Sequence, residues 1–314
     1  MSQQIENVLH ENRRFSPSDA FREASRMGNE ADYQEQYKRS IDDPEGYWGE
    51  VAKELPWIKP FDSVLDWSNP PVPRWFDGGQ LNASAVCLDQ HADGERANKV
   101  AIHWEGEPGD TKSFTYAELR DEVARFANVL KARGIGKGDR VAVYMPMIPE
   151  LSMAVLACAR IGAIHSVVFG GFSAQSLRDR IEDTGCNAVI CADGGWRRGS
   201  VLPLKQEVDK AVEGIDHVHT VLVVRRTENE VTWHPERDVW LHEALESVSS
   251  DCPPEPMESE DVLFREAEQF DLKLWLRHLF RDKAPLPTFA MAAGCFMLMM
   301  FLQFLTIKLL TGSM

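Results

Sequence analysis

Two glycine-rich turns hold the residues best suited to chemistry in this chain of 314 residues. The first is Phe169-Gly170-Gly171, which follows the apolar β-branched run Ile164 to Phe169. Ser173 stands just beyond as an N-cap for a helix that carries Leu177 and Ile181 inward. Paired glycines between a strand and a helix start let a ligand approach backbone N–H groups closely, although such turns also occur where nothing binds. The second is GGWRRGS, Gly194 to Ser200, at the carboxyl end of the apolar run Asn187 to Asp193. Adjacent arginines among glycines suit phosphate, through bidentate hydrogen bonds and exposed backbone donors. An Arg-Arg pair can equally be a solvated surface. Taken together, Phe169, Gly170, Gly171, Arg197, Arg198, Gly199 and Ser200 suggest an apolar ring for a flat base beside a cradle for a nucleotide-like anion.

Other chemistry is poorly represented. No G-x-x-x-x-G-K-[ST], G-x-S-x-G or H-E-x-x-H occurs, and no G-x-G-x-x-G follows the first strand. His165, at the start of an apolar run, reads as a core histidine. His217 and His219 alternate at the entry to a strand and match no metal-ligand spacing, so no metal site is assigned. The six cysteines form no CxxC pair and lie mostly in apolar segments, as reduced thiols do. A net charge of -15 speaks against general nucleic-acid binding.

The elements that must position these turns alternate regularly. Lys99–Gly106 reads as a strand, followed by a helix with Leu119, Val123, Phe126 and Leu130 on one face, closed by Gly134. Arg140–Met147 reads as a strand before a nearly all-apolar helix, Leu151–Ile161. The strands Ile164–Phe169, Asn187–Asp193 and Thr220–Arg226 then alternate with helices. This is the pattern of βαβ units and an α/β, parallel, doubly wound sheet, whose ligands sit at the carboxyl ends of strands. Ahead of it, residues 1–40 suggest helices, and a Trp- and Pro-rich stretch around Trp57, Trp67 and Pro70 to Trp75 suggests an irregular strap. The N-terminus, MSQQIENVLHENRRF, carries no apolar run of the kind that opens a secretory signal.

Behind Phe264 the character changes. Leu272, Trp275, Leu276 and Leu279 share one helical face and Lys273, Arg277 and Arg281 another, which predicts an interfacial helix. Ala284 to Ile307 carries no charged residue, long enough for a bilayer of roughly 30 Å. Basic residues are more numerous before this run than after it. The expectation is therefore a single-pass C-terminal transmembrane helix over 284–310, with the preceding part in the cytoplasm and an amphipathic juxtamembrane segment over 265–283.

Several long segments carry a family resemblance. WIKPF (Trp57–Phe61), RWFDGGQLN (Arg74–Asn82), VAVYMPMIPE (Val141–Glu150), ACARIGAIHSVVFGGFS (Ala157–Ser173) and ADGGWRRG (Ala192–Gly199) stand in the order found in AMP-forming acetyl-CoA synthetase (acetate–CoA ligase), which the chain resembles from about Asp32 to Phe264. The resemblance implies residues 1–85 as the N-terminal region of that enzyme and 86–264 as part of its AMP-binding, adenylate-forming α/β domain. It implies acetate activation with ATP and Mg, then acetyl transfer to coenzyme A. It further implies that the Phe169-Gly170-Gly171 turn lies against the coenzyme A adenine and that Arg197 to Ser200 hold its phosphates. Members commonly carry a basic residue where this chain has Ser200.

After Glu260-Asp261-Val262-Leu263-Phe264 the family continues into a Ser/Thr/Gly-rich phosphate loop, whereas this chain reads Arg265-Glu266-Ala267. The acetate pocket, the ribose-binding Asp and the C-terminal domain with its adenylating Lys are likewise unmatched. The expectation is a truncated ligase, inactive alone, with no catalytic residue assigned. Alternatives are a membrane-tethered coenzyme A-binding or regulatory module and the N-terminal half of a split ligase. Pairing with a C-terminal ligase fragment would follow from the last, and self-association is a further partner expectation.

Overall fold

Continuous apolar runs require strands covered on both faces, and a computed structural model, which describes residues 15–25 and 27–265, builds them into one parallel sheet. The chain divides into two compact units, one including the residues up to Trp48 and one beginning at Gly49. In the first, α1 (Asp19–Ala24) is capped by Ser18 and α2 (Glu30–Asp42) by Asn29, whose side chains accept from the N–H groups of Phe21 and Asp32. Tyr33 and Tyr37, one turn apart, stack on α2 at 6.1 Å. α3 (Pro44–Ala52) runs across the division.

The second unit opens with the Trp- and Pro-rich stretch. β1 (Ser63–Asp66) pairs antiparallel with β2 (Arg74–Asp77), and β3 (Gln80–Leu81) follows. Trp57, Phe61 and Phe76 pack with centroids 5.1 to 5.7 Å apart, and the Trp57 indole donates to the Ala52 carbonyl at 2.7 Å. These aromatics pack on one another, as a strap requires. Asn82 caps α4 (Ala83–Cys87), and its amide donates to the carbonyls of Ala159 and Glu255. After α5 (Asp89–Ala92), the chain reaches the run Lys99–Gly106.

Here the structure differs from the sequence reading. β4 (Val100–Glu105) does not join the parallel sheet but forms an antiparallel hairpin with β5 (Thr111–Thr115). Pro108-Gly109-Asp110 makes the turn, with Gly109 at φ 90. The strand that follows the turn, TKSFT, is too polar to stand out as a buried run. α6 (Tyr116–Ala132) starts with a reciprocal capping box between Thr115 and Glu118, and Gly134 at φ 78 ends it as expected.

The main sheet contains β6 (Arg140–Met145), β7 (Ile164–Phe169), β8 (Ala188–Ala192), β11 (Thr220–Val224) and β12 (Asp238–Trp240), in the order β12-β11-β8-β6-β7 and parallel throughout. Between β8 and β11 lie a small hairpin, β9 (Gly195–Arg197) with β10 (Ser200–Leu202), and α9 (Leu204–Val212). Val143 lies across from both Val167 and Ile190, and Ile190 from Leu222. The path steps from β6 out to β7 through α7 (Pro149–Arg160), then back past β6 to β8 through α8 (Ala174–Thr184). Right-handed crossovers in opposite directions put α7 and α8 on opposite faces. Met153, Ala154, Ala157 and Cys158 of α7 are buried against the sheet and its neighbours. Among the described residues β7 is an edge strand, with Phe264 bridging to His165 and the Arg265 N–H donating to the His165 carbonyl at 3.0 Å on its outer side. α10 (Leu241–Glu246) and β13 (Met257–Glu258), which pairs with β3, complete the described chain.

The membrane expectation is corrected. No helix among the described residues is long and apolar enough to cross a membrane. The segments that prompted the expectation, 265–283 and 284–310, lie outside the described residues except for Arg265. The fold is an α/β parallel sheet without an assigned transmembrane helix, and the single-pass location that rested on that helix is withdrawn.

Candidate functional site

The carboxyl ends of β6, β7 and β8 bring the two glycine turns together. Within the first, the N–H groups of Gly171 and Phe172 both donate to the Phe169 carbonyl, at 2.8 and 3.1 Å. The Phe172 carbonyl accepts from the phenol of Tyr144 in β6 at 2.7 Å. Burial pushes that phenol up to about 12, so it stays a donor throughout the neutral range. The two glycines have different reasons to be there. A Cβ on Gly170 would lie 2.6 Å from the Met145 carbonyl oxygen, so this position is filled by the protein's own backbone. A Cβ on Gly171 would meet an Arg197 guanidinium nitrogen at 2.9 Å and the Phe169 ring at 3.2 Å. Gly171 therefore makes room for the contact between the two turns.

That contact is the centre of the site. The Arg197 guanidinium stands 5.7 Å from the centroid of the Phe169 ring, which is 53% exposed at the end of β7. Phe172 meets Phe169 edge-on at 5.8 Å, and Arg180 covers Phe172 at 5.0 Å.

The second turn is tighter than a loop. Ser200 pairs with Arg197 across the β9–β10 hairpin, and Arg198 and Gly199 between them have φ of 54 and 75. Both positive angles make a type I′ turn, comfortable for Gly199 and strained for Arg198. The backbone donors expected to be exposed here are occupied. The carboxylate of Glu107, at the tip of the β4–β5 hairpin, accepts from the N–H groups of Arg198 (3.0 Å) and Gly199. The helix start beside the first turn is also filled. Ser173 accepts from the Ser176 N–H, as its N-cap role predicts, and Glu207 accepts from the Ala174 N–H at 3.0 Å. A hydrogen bond from Lys210 holds the Glu207 carboxyl below its usual range, against the opposing effect of burial.

Asp193 has a role the sequence did not show. It is buried at the end of β8, and its carboxylate accepts from the N–H groups of Gly194, Arg226, Thr227 and Glu228 at 2.7 to 3.0 Å. It thereby fixes both the start of the arginine hairpin and the loop after β11. Next to it, Arg225 lies 4.7 Å over Trp240, which stacks on Trp233 at 4.6 Å. An aspartate ending an apolar strand is the one sequence signal that could have marked it.

His165 is buried, stacks on Phe264 at 6.0 Å, and is driven down to about 4 by burial, so it is neutral; its Nδ1 lacks a hydrogen-bond partner. Among the described residues no group of three or more His, Cys, Asp and Glu side chains is placed to hold a metal ion. Cys87, Cys158, Cys186, Cys191 and Cys252 are free thiols.

The five-stranded parallel sheet, with helices on both faces and the two turns at its carboxyl end, defines an α/β protein of the doubly wound class. The chain belongs to the family of AMP-binding enzymes, whose sequence profile matches residues 88–264, and residues 33–87 match the acetyl-coenzyme A synthetase N-terminus. It is 55% identical over 235 residues to acetyl-coenzyme A synthetase 2 of Pseudomonas putida, covering 74% of this chain and 36% of that protein. The acetyl-coenzyme A synthetase of Magnetococcus marinus is 52% identical over 244 residues, covering 77% and 38%. That of Streptomyces coelicolor is 48% identical over 263 residues, covering 84% and 40%. The chain thus spans 36 to 40% of the length of these relatives.

Proposed function

We propose that residues 86–264 carry the coenzyme A end of an AMP-forming acetate–CoA ligase, preceded by that enzyme's N-terminal region in residues 1–85. The whole reaction converts acetate, ATP and coenzyme A to acetyl-CoA, AMP and diphosphate. The observation that carries the reading is the Arg197–Phe169 contact over Gly171, in a chain of this family. The Phe169 ring offers a face on which adenine stacks, an interaction of about 1–3 kcal/mol per base. Arg197, and Arg198 beside it, supply guanidinium forks for phosphate oxygens. Gly171 keeps the space between ring and guanidinium open, and Tyr144 holds the turn in shape through the Phe172 carbonyl. Ser200 contributes a neutral hydroxyl beside them.

Forming the acetyl-adenylate requires groups that orient ATP and neutralise charge on its phosphates, with Mg. None of the described residues is assigned that task. We place it in the segments of the relatives that lie beyond the matched region, and assign residues 86–264 coenzyme A binding alone. A regulatory coenzyme A-binding module would rest on the same residues.

Calorimetric titration of the full chain with coenzyme A tests the site. Saturable binding is expected, weakened tenfold or more in R197A, the cost of one charge-assisted hydrogen bond of about 1.5–3 kcal/mol. No saturable binding, or binding indifferent to R197A, refutes the assignment. Acetate-dependent AMP formation by the chain alone would refute the placement of adenylation elsewhere.

A further inference from the structure

The tip of the β4–β5 hairpin, Gly106 to Asp110, reaches the basic end of the sheet with two carboxylates. Asp110 holds Arg226 through two hydrogen bonds, at 2.7 and 3.0 Å, and Arg226 lies 4.9 Å over Trp104 of β4. This pair fixes the tip against the loop after β11. Within the tip the Gly106 N–H donates to the Asp110 carbonyl at 2.7 Å and the Gly109 N–H to the Gly106 carbonyl at 2.8 Å. Glu107 is thus presented on a braced turn, and its carboxylate takes the two adjacent N–H groups of Arg198 and Gly199. Consecutive N–H groups converging on one anion form a nest, and here a carboxylate is seen in it. No carboxylate lies within ion-pair distance of the Arg197 or Arg198 guanidinium among the described residues. The hairpin therefore has its backbone donors filled from within while its side-chain donors remain available.

We infer that Glu107 is a displaceable internal anion that occupies the Arg198–Gly199 nest and competes with the phosphate of an incoming ligand. A phosphate oxygen that reaches Arg197 and Arg198 gains the nest as well only by expelling Glu107. Expulsion leaves the hairpin tip attached through Asp110 and Arg226, so the clasp reopens and recloses about a fixed end. The inference rests on the reading of this end of the sheet as a coenzyme A site, and it adds that the site is self-inhibited.

The test is calorimetric titration of the full-length chain and its E107Q, E107A and R197A variants with coenzyme A and, separately, with adenosine, which presents the base without phosphate. Neutralising Glu107 replaces charge-assisted hydrogen bonds by neutral ones, so E107Q is expected to bind coenzyme A about tenfold tighter than the parent, and E107A at least as tightly. Adenosine binding is expected to be the same in the parent and both Glu107 variants. Coenzyme A binding that is unchanged or weaker in both Glu107 variants, yet lost in R197A, overturns the clasp and leaves the site standing. Failure of the parent and every variant to bind coenzyme A removes the site and the clasp with it. A tightening of adenosine by the same factor would also overturn the inference, since competition for phosphate cannot act on a ligand without one.

Discussion

Replacing Lys205 by Met should cost about 3 kcal/mol of stability while leaving the surface of the arginine hairpin untouched. Lys205 lies at the start of α9, directly behind that hairpin, and its ammonium is fully buried. It contacts Asp238 at 2.7 Å and Asp209 at 2.7 Å, and donates to the Thr232 carbonyl at 3.2 Å. Methionine fills the volume but removes the charge. Breaking a buried pair from one side costs about 3–5 kcal/mol because the other charge stays buried. The low end applies here, since Asp238 keeps the Arg237 Nε at 2.8 Å and the His234 N–H at 3.0 Å, and Asp209 keeps the other end of Arg237 at 2.6 Å. With a urea slope of about 3 kcal/mol per M, the unfolding midpoint should fall by about 1 M. Tryptophan fluorescence follows the transition, as Trp233 and Trp240 stack on the neighbouring strand and loop. Adding D238N to K205M removes the stranded charge and should recover part of the loss. A midpoint within about 0.3 M of the parent at an unchanged slope would show that Arg237 alone neutralises both carboxylates, contrary to the account given.

His165 makes stability depend on acidity in a defined window. Its folded-state value is driven by burial from 6.5 to about 4, so the unfolded chain takes up the proton first as pH falls. Its contribution is complete above about pH 6.5 and declines towards pH 4, by up to about 3 kcal/mol. Urea midpoints of the parent and H165F across this range should diverge in slope, with the variant flatter; parallel curves would refute the assignment. In G170A the new methyl meets the Met145 carbonyl oxygen, an overpacking expected to cost about 1–3 kcal/mol by the same urea assay. Equal midpoints for G170A and the parent would show that the turn has slack.

What the sequence disclosed and what it concealed follow from the range of each interaction. Val141 to Met145 and Thr220 to Val224 were readable because strands covered on both faces must be apolar throughout, and the half-exposed edge strand Ile164 to Phe169 because β-branched residues crowd it. The Ser173 cap and the Gly134 stop were readable because their partners lie within four residues. β5 was missed because Thr111 to Thr115 is mostly solvated, and β12 because three residues are too short to show a period. The site divides the same way. Phe169, the glycines and the arginines were singled out by local composition, but Glu107 meets a turn 91 residues further on, and Asp193 gathers N–H groups from residues more than 30 further on. No spacing rule connects such positions. An uncharged run prompted the membrane expectation because hydropathy reports only how apolar a segment is.

The close fit of Gly170 against the end of β6 has a genetic consequence. Most core clashes can be relieved by a second mutation that trims the opposing side chain. At Gly170 the nearest atoms are the Met145 carbonyl oxygen and carbon and the Pro146 nitrogen, all main chain and thus identical whatever residue is encoded there. A suppressor of any substitution at this codon cannot be found by shortening the neighbour. It would have to move the strand itself, so this position should drift least of the turn, while Gly171, opposed by the movable ends of Arg197 and Phe169, retains routes to compensation.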